Sequence, residues 1–336
     1  MRRSSAAWRW LSALLLLVGV AAFIDLGRLW LELQRLPAWL VLPAFVLTVF
    51  QIALSAWRWR YTAGRLGLGL SFWQAFREYY LASFLNQVLP GGVMGDVGRA
   101  WRHSRQTERK RGAVHAVLIE RLSGQLALML LVLWALAWLV DSDRLAGPGP
   151  GTWSETPGIM IVVAVLVAGV CVVRWLGARD DRLGRYLRQL VTDVGKGLAG
   201  WRVLPVQLVS SLLVLASYLA LFLLLAYEAG YLENPGSGYL LTALCSFLLL
   251  SMVIPVTVAG WGVREGAAAV LWPLAGLPEE QGVALSVGYG VLVLLCSLPG
   301  LTVVLMDRAE SRRTQPMAPM GAVRKTPDQT AYHCPD

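Results

Sequence analysis

Glu120 and Arg121 are adjacent charges inside an otherwise apolar run from Gly112 to Val140. A charge at the centre of a membrane helix costs about 2.5–3.5 kcal/mol on insertion scales, so each of the two needs a partner. Neighbouring residues on a helix point about 100° apart, which sends the two side chains to different partners. The candidates lie in two segments rich in proline and glycine. In the first, Asn86 precedes Pro90-Gly91-Gly92-Val93-Met94-Gly95-Asp96-Val97-Gly98-Arg99; in the second, Pro255 leads through Gly260, Trp261 and Gly262 to Arg264 and Glu265. Pairing Glu120 with Arg99 or Arg264, and Arg121 with Asp96, would gather a polar cluster. Three roles fit it: a static ion network that sets helix register, a site or gate for a lipid headgroup, or a proton relay through Glu120.

The same segments carry a second kind of chemistry. Glycine lets the chain bend where a Cβ would clash, and proline removes one backbone donor. Backbone broken at membrane depth survives only where it is buried in protein or lines a wet cavity. Such a break exposes helix-end N–H groups, which favour an anion such as a phosphate. Arg99 and Arg264 have the forked donors that phosphodiester oxygens accept, and equally could anchor at the interface or pair with Asp96 and Glu265. Further along, Arg99, Arg102 and Arg105 recur every third residue and would share a helix face attractive to anionic lipid, a pattern that topology alone also produces.

Soluble-enzyme chemistry has no foothold in this chain. His103, His115 and His333 are scattered, and neither a nucleophile elbow nor a phosphate-cradling loop occurs. The four cysteines, Cys171, Cys245, Cys296 and Cys334, show no metal-ligand or disulfide spacing. No cofactor and no metal are expected, and catalysis is not the expected activity. Two other roles stand beside a headgroup site or gate: a membrane-embedded transferase acting on a lipid-linked substrate, and a non-transporting scaffold of an envelope-lipid pathway.

The elements that must position these residues follow from composition. Hydrophobic residues make up 56% of the 336 and charged residues 15%, with a mean hydropathy of +0.56. Soluble domains carry about 25% charged residues, so the solvent for most of this chain is lipid. Apolar runs long enough to approach the roughly 20 residues of a bilayer span occur at 8–24, 37–57, 112–140, 158–175, 204–227 and 281–306. Within lipid they must be helices, because every backbone group has to be paired inside its own segment. The reading is an all-α polytopic integral membrane protein with about six full spans and two broken or re-entrant elements, 71–90 and 239–277. The start, Met1-Arg2-Arg3 and an apolar stretch to Ala22, imitates a secretory signal, but the stretch continues through Ile24 and reads as a retained helix.

Charge sets the orientation. Of 30 Lys and Arg, 24 fall in the N-terminus, segments 58–70, 99–111 and 174–202, and the tail from 307, whereas the opposite loops hold only Arg28, Arg35 and Arg144. By the positive-inside rule the chain is a multi-pass protein of the bacterial cytoplasmic membrane with both termini cytoplasmic. The net charge of +9 is therefore topology and not a nucleic-acid footprint. Tryptophans such as Trp8, Trp39, Trp57, Trp134 and Trp138 stand at span ends, where an interfacial belt forms. Residues 180–199 carry Arg182, Arg185, Arg188 and Lys196 among leucines and valines, a spacing that suits a helix lying in the cytoplasmic interface.

The two broken segments also match one another. Leu89 to Arg99 aligns without gaps on Ile254 to Arg264, with Pro, Gly and Arg coincident at an offset of 165. The same offset lays 37–57 on 202–222 and 112–140 on 277–305, each matched pair running in opposite directions. This predicts an inverted repeat, an architecture in which broken helices meet at the membrane midplane. The expected organisation is a first membrane repeat at 1–140, an external Gly/Pro-rich linker at 141–157, a second repeat at 158–306 and a disordered cytoplasmic tail at 307–336.

Asn86 to Ala100, Glu120-Arg121 and the run from Pro255 to Glu265, in that order and over about residues 8–306, resemble the signature elements of the lysylphosphatidylglycerol synthase transmembrane-domain family. That family is flippase-like, and in its bifunctional members the membrane region is joined to a cytosolic synthase domain. The resemblance implies a membrane region without that domain, which binds and translocates a phospholipid or lipid-linked amphiphile. It implies membrane lipids with an anionic headgroup as partners, and admits a homo-oligomer or a partner envelope enzyme. Trp261 departs from the first half's Asp96 at the matching position.

Overall fold

The computed structural model describes residues 27, 30, 31, 34, 37–89, 92–142, 181–232, 235–253 and 257–303. The expected spans 8–24 and 158–175, the linker beyond 142, the tail from 307, and both motif prolines, Pro90 and Pro255, lie outside the described residues. Nine α-helices are found among them, and no β-strand. They are α1 (Val41–Arg65), α2 (Phe72–Val88), α3 (Met94–Arg105), α4 (Lys110–Asp141), α5 (Arg182–Gly197), α6 (Leu204–Glu228), α7 (Pro235–Ser251), α8 (Val263–Leu274) and α9 (Glu279–Ser297). Four are long and apolar enough to cross a membrane: α1 with the single 3-10 turn before it, α4, α6, and α9 with its continuation to Val303. The shortest of these holds 25 residues. At 1.5 Å per residue that is about 38 Å, more than the roughly 30 Å of hydrocarbon to be crossed.

The first broken element is a helical hairpin. Ser71 caps α2, its hydroxyl accepting from the Gln74 N–H at 3.2 Å. Beyond α2 the chain returns through α3 to its starting level, where the Gln74 side-chain amide donates to Gln106 and His103 Nε2 lies 3.3 Å from the Gly69 carbonyl. The sequence reading of 71–90 as an element that enters and leaves on one side therefore holds, but its returning leg is made by residues assigned to a basic loop at 99–111. Gly95 makes the turn possible. A Cβ there would stand 2.1 Å from the Ala82 carbonyl oxygen, so the two backbones are in direct contact.

The second broken element, α7 and α8, has a longer tip. Ala259, Gly260 and Gly262 all have positive φ, at 51°, 78° and 84°. Such a backbone cannot be α-helical, so α8 begins one residue before Arg264, whereas α3 begins five before Arg99. The two motifs align in sequence without gaps, yet their helices start four residues out of register.

A further correction concerns 58–70. Its first eight residues continue α1, which ends only at Arg65, and Arg58 is buried. No Pro or Gly stands between Pro43 and Gly64, and the arginine's charge finds a partner inside the bundle, so the helix does not stop where hydropathy drops. α1 runs antiparallel to α6, with Thr62 against Gln207 and Arg58 against Ser211. The larger core gathers near one end, around Leu40, Leu139, Phe222, Leu225 and Trp272. At the other end a smaller core around Trp59, Ala113, Ala116 and Leu198 holds the three basic segments together. There Arg109 donates to the Leu66 carbonyl at 2.7 Å and His115 meets Asp193 of α5 at 2.7 Å. This convergence is what the charge rule requires of segments sharing one side of a membrane.

Candidate functional site

Glu120, on the third turn of α4, is fully buried, and its two oxygens are shared among three helices. Oε1 accepts from both Nε (3.2 Å) and Nη2 of Arg58 on α1, and from the Tyr79 hydroxyl of α2 at 3.2 Å. Oε2 accepts from Arg99 Nη2 of α3 at 2.6 Å. Arg99 also donates through Nε to Asp96 at 2.9 Å, and its guanidinium is flanked by the rings of Trp59 and Tyr79, 4.8 and 4.3 Å from the ring centres. Aromatic faces attract a desolvated cation, which offsets part of the cost of burying Arg99. Asp96 is completed by Arg121 at 2.5 Å and by the Asn86 amide at 3.1 Å. Asn86 in turn accepts from the Gly95 N–H at 2.8 Å, closing the hairpin across its tip.

Both predicted pairings, Glu120 with Arg99 and Arg121 with Asp96, are thus present, and the adjacent charges do face different partners. Arg264 does not reach Glu120. It donates to Glu265 at 2.8 Å and to Ser286 at 2.6 Å, and Ser286 donates to Glu265 at 2.9 Å. The second Glu265 oxygen accepts from the Gly262 N–H at 2.6 Å, satisfying a donor at the start of α8. Arg264 is held this way because Glu265 is its own neighbour and Gly290 leaves room for it: a Cβ at 290 would stand 2.4 Å from the guanidinium.

Arg58 was missed by sequence reasoning, as were Tyr79 and Ser211. Arg58 directly follows the apolar run and so reads as the first residue of a basic loop. A signal was nonetheless there: Thr48, Gln51, Ser55, Arg58 and Thr62 recur at helical spacing through the end of that run and beyond it, and all are buried.

In front of the ion network lies a cavity of about 280 Å³. Its wall is built from α1, α2, α4, α6, α7 and α9 and from both hairpin tips. Of the residues singled out in the sequence, Asn86, Arg121 and Gly260 reach it. Gly95, Asp96, Arg99 and Glu120 stand behind it in the network, and Arg264 and Glu265 in the second cluster. Arg58, Arg99 and Arg121 face two carboxylates, Glu120 and Asp96, so three positive charges against two negative leave one positive charge over. That surplus is turned to the cavity. The Arg121 side chain lines the cavity and is 44% exposed, against 5% for Arg58 and 0% for Arg99. Gly92 and Val93, which lead into α3, and Gly260, just ahead of α8, also line it. Two helix beginnings, with their positive dipole ends, thus add to the arginine in favouring an anion.

Comparison with curated proteins finds no match. A family model, that of the lysylphosphatidylglycerol synthase TM region, matches residues 10–300, a stretch that includes all four long apolar helices almost entirely, both broken elements and the whole ion network. The chain is a multi-pass membrane protein of the lysylphosphatidylglycerol synthase transmembrane-region family, and with it belongs to a membrane-lipid pathway.

Proposed function

We propose that the cavity receives the anionic headgroup of a phospholipid or lipid-linked amphiphile, and that the protein carries it between the leaflets of a bacterial cytoplasmic membrane. The activity is transport and not catalysis. The observation that carries this reading is Arg121, a surplus cation opened into a cavity between two broken hairpins. Its size supports the same reading. Pockets for whole small molecules span about 300–1,000 Å³, so a cavity near the lower bound suits a headgroup whose acyl chains stay in the bilayer. The order of elements lends support to an inverted repeat: a long helix, a hairpin and a long helix (α1, α2–α3, α4) recur as α6, α7–α8, α9, with α1 and α6 antiparallel. Rocking of one such half against the other would expose the cavity alternately to the two sides. In this reading the end that gathers the basic segments is cytoplasmic, as are both termini.

The test is translocation of fluorescent phosphatidylglycerol in proteoliposomes, together with leaflet composition in cells with and without the protein. Faster translocation than in empty vesicles, lost in Arg121→Gln with folded protein in normal amount, is the expected result. A lipid species missing from cells that lack the protein, with sidedness unchanged, would point to an enzyme and overturn the reading. So would equal translocation by wild type and Arg121→Gln.

A further inference from the structure

The ion network occupies only part of the cavity wall, and the rest is polar without being charged. Along α1 the buried residues Thr48, Gln51, Ser55 and Arg58 form one continuous stripe lining the cavity. Gln51 lies seven residues before Arg58, or about 10 Å at 1.5 Å per residue, toward the end opposite the basic segments. Its amide Nε2 is buried and finds no hydrogen-bond acceptor among the described residues. Thr257, at the tip between α7 and α8, lines the same cavity with a buried hydroxyl that also lacks a partner there. Buried polar groups are normally satisfied, and an unmet donor costs more than a hydrogen bond contributes. With the Thr48 hydroxyl, likewise without a hydrogen-bond partner among the described residues, three such groups line one cavity wall, each only 4% exposed or less, and the Gln51 N–H among them points to a ligand atom that is an acceptor.

We propose that Gln51 and Thr257 form a second, uncharged station for the phosphate of the headgroup, which it reaches after leaving Arg121. This rests on the reading of the cavity as a headgroup site. A transporter whose substrate met only the arginine would bind it and hold it. Conduction requires binding strong enough to enter and weak enough to leave, and a neutral station further along the cavity wall supplies the second condition. The two stations divide the crossing into steps. Neutral donors suit this role because the phosphate arrives without a fixed counter-charge that would trap it. A cation is the wrong ligand for the Gln51 N–H, and the surplus arginine charge nearby repels it.

The experiment separates binding from movement in the full chain. Dihexanoyl-phosphatidylglycerol is titrated into purified protein, and translocation of fluorescent phosphatidylglycerol is followed in phosphatidylcholine vesicles. Gln51→Leu and Thr257→Val should bind within about twofold of wild type yet translocate about tenfold more slowly or less, the rate equivalent of one hydrogen bond to a charged group. Thr257→Ser, which keeps the hydroxyl, should restore the rate. The isosteric Thr257→Val carries the test if Gln51→Leu does not fold. Wild-type rates in both variants, with Arg121→Gln slow, would overturn the second station and leave the headgroup site standing. Loss of binding along with transport in Gln51→Leu would overturn it too, by making the two stations one site. A sodium requirement that shifts in Thr257→Val would replace it with a cation site. Wild-type binding and transport in Arg121→Gln would sink the headgroup site itself.

Discussion

Glu120→Gln keeps the size and shape of the side chain and removes one charge. In the native network Glu120 meets Arg58 and Arg99, and Asp96 meets Arg99 and Arg121. Three arginines against two carboxylates become three against one, so the local charge rises from +1 to +2. Arg58 loses its only ionic partner among the described residues and keeps Ser211 at 2.8 Å, while Arg99 keeps Asp96. Both guanidinium groups are at most 5% exposed and cannot turn to water. Breaking a buried pair by removing one member costs about 3–5 kcal/mol, a large share of the roughly 5–15 kcal/mol that holds a typical domain together. The double variant Arg58→Gln/Glu120→Gln has two arginines against one carboxylate and returns the local charge to +1. It should therefore recover about 1–3 kcal/mol relative to the sum of the single variants. The assay is unfolding of purified protein in mixed micelles across the four members of the cycle. A Glu120→Gln variant within about 1 kcal/mol of wild type, or strictly additive single effects, would refute the view that this carboxylate locks α1, α3 and α4 together.

Arg121→Gln should behave differently from Glu120→Gln. Arg121 is open to the cavity and Asp96 keeps Arg99 and Asn86, so unfolding should change by no more than about 1 kcal/mol while lipid translocation falls. Gly95→Ala should destabilise the α2–α3 hairpin by about 1–3 kcal/mol, because the new methyl group meets the Ala82 backbone; folded yield of the purified variant measures this, and unchanged yield would exclude the contact. Arg102→Gln and Arg105→Gln should leave translocation within about twofold of wild type, since Arg102 pairs with Glu78 at the hairpin flank and Arg105 lies over Trp101, both outside the cavity wall. A cysteine placed at Ser311 should label only from the cytoplasmic side; labelling from outside would break the charge-based orientation and the inverted repeat with it.

Much of this architecture is legible in one dimension. Apolar run length and backbone pairing leave helices as the only option for α1, α4, α6 and α9. Proline and glycine mark the two broken elements, because few other residues allow the chain to reverse against its own backbone. Glu120 and Arg121 announce by their cost that partners exist, and adjacency on a helix shows that the partners differ. Which partners they are was decided by packing. Arg99 and Arg264 stood as equals on sequence, at matching positions of the two motifs, while Arg58, just past the end of a span, was not a candidate. The antiparallel crossing of α1 and α6 turns Arg58 inward beside Glu120, whereas three positive φ values before Arg264 start its helix late and leave it to Glu265. The polar stripe of α1 was likewise present as a spacing, yet its meaning depends on which face of the helix is covered and by what. Hydropathy averages a helix around its axis. The rotation of each helix about that axis, and hence the cavity and the charge turned toward it, is set only when all the helices pack.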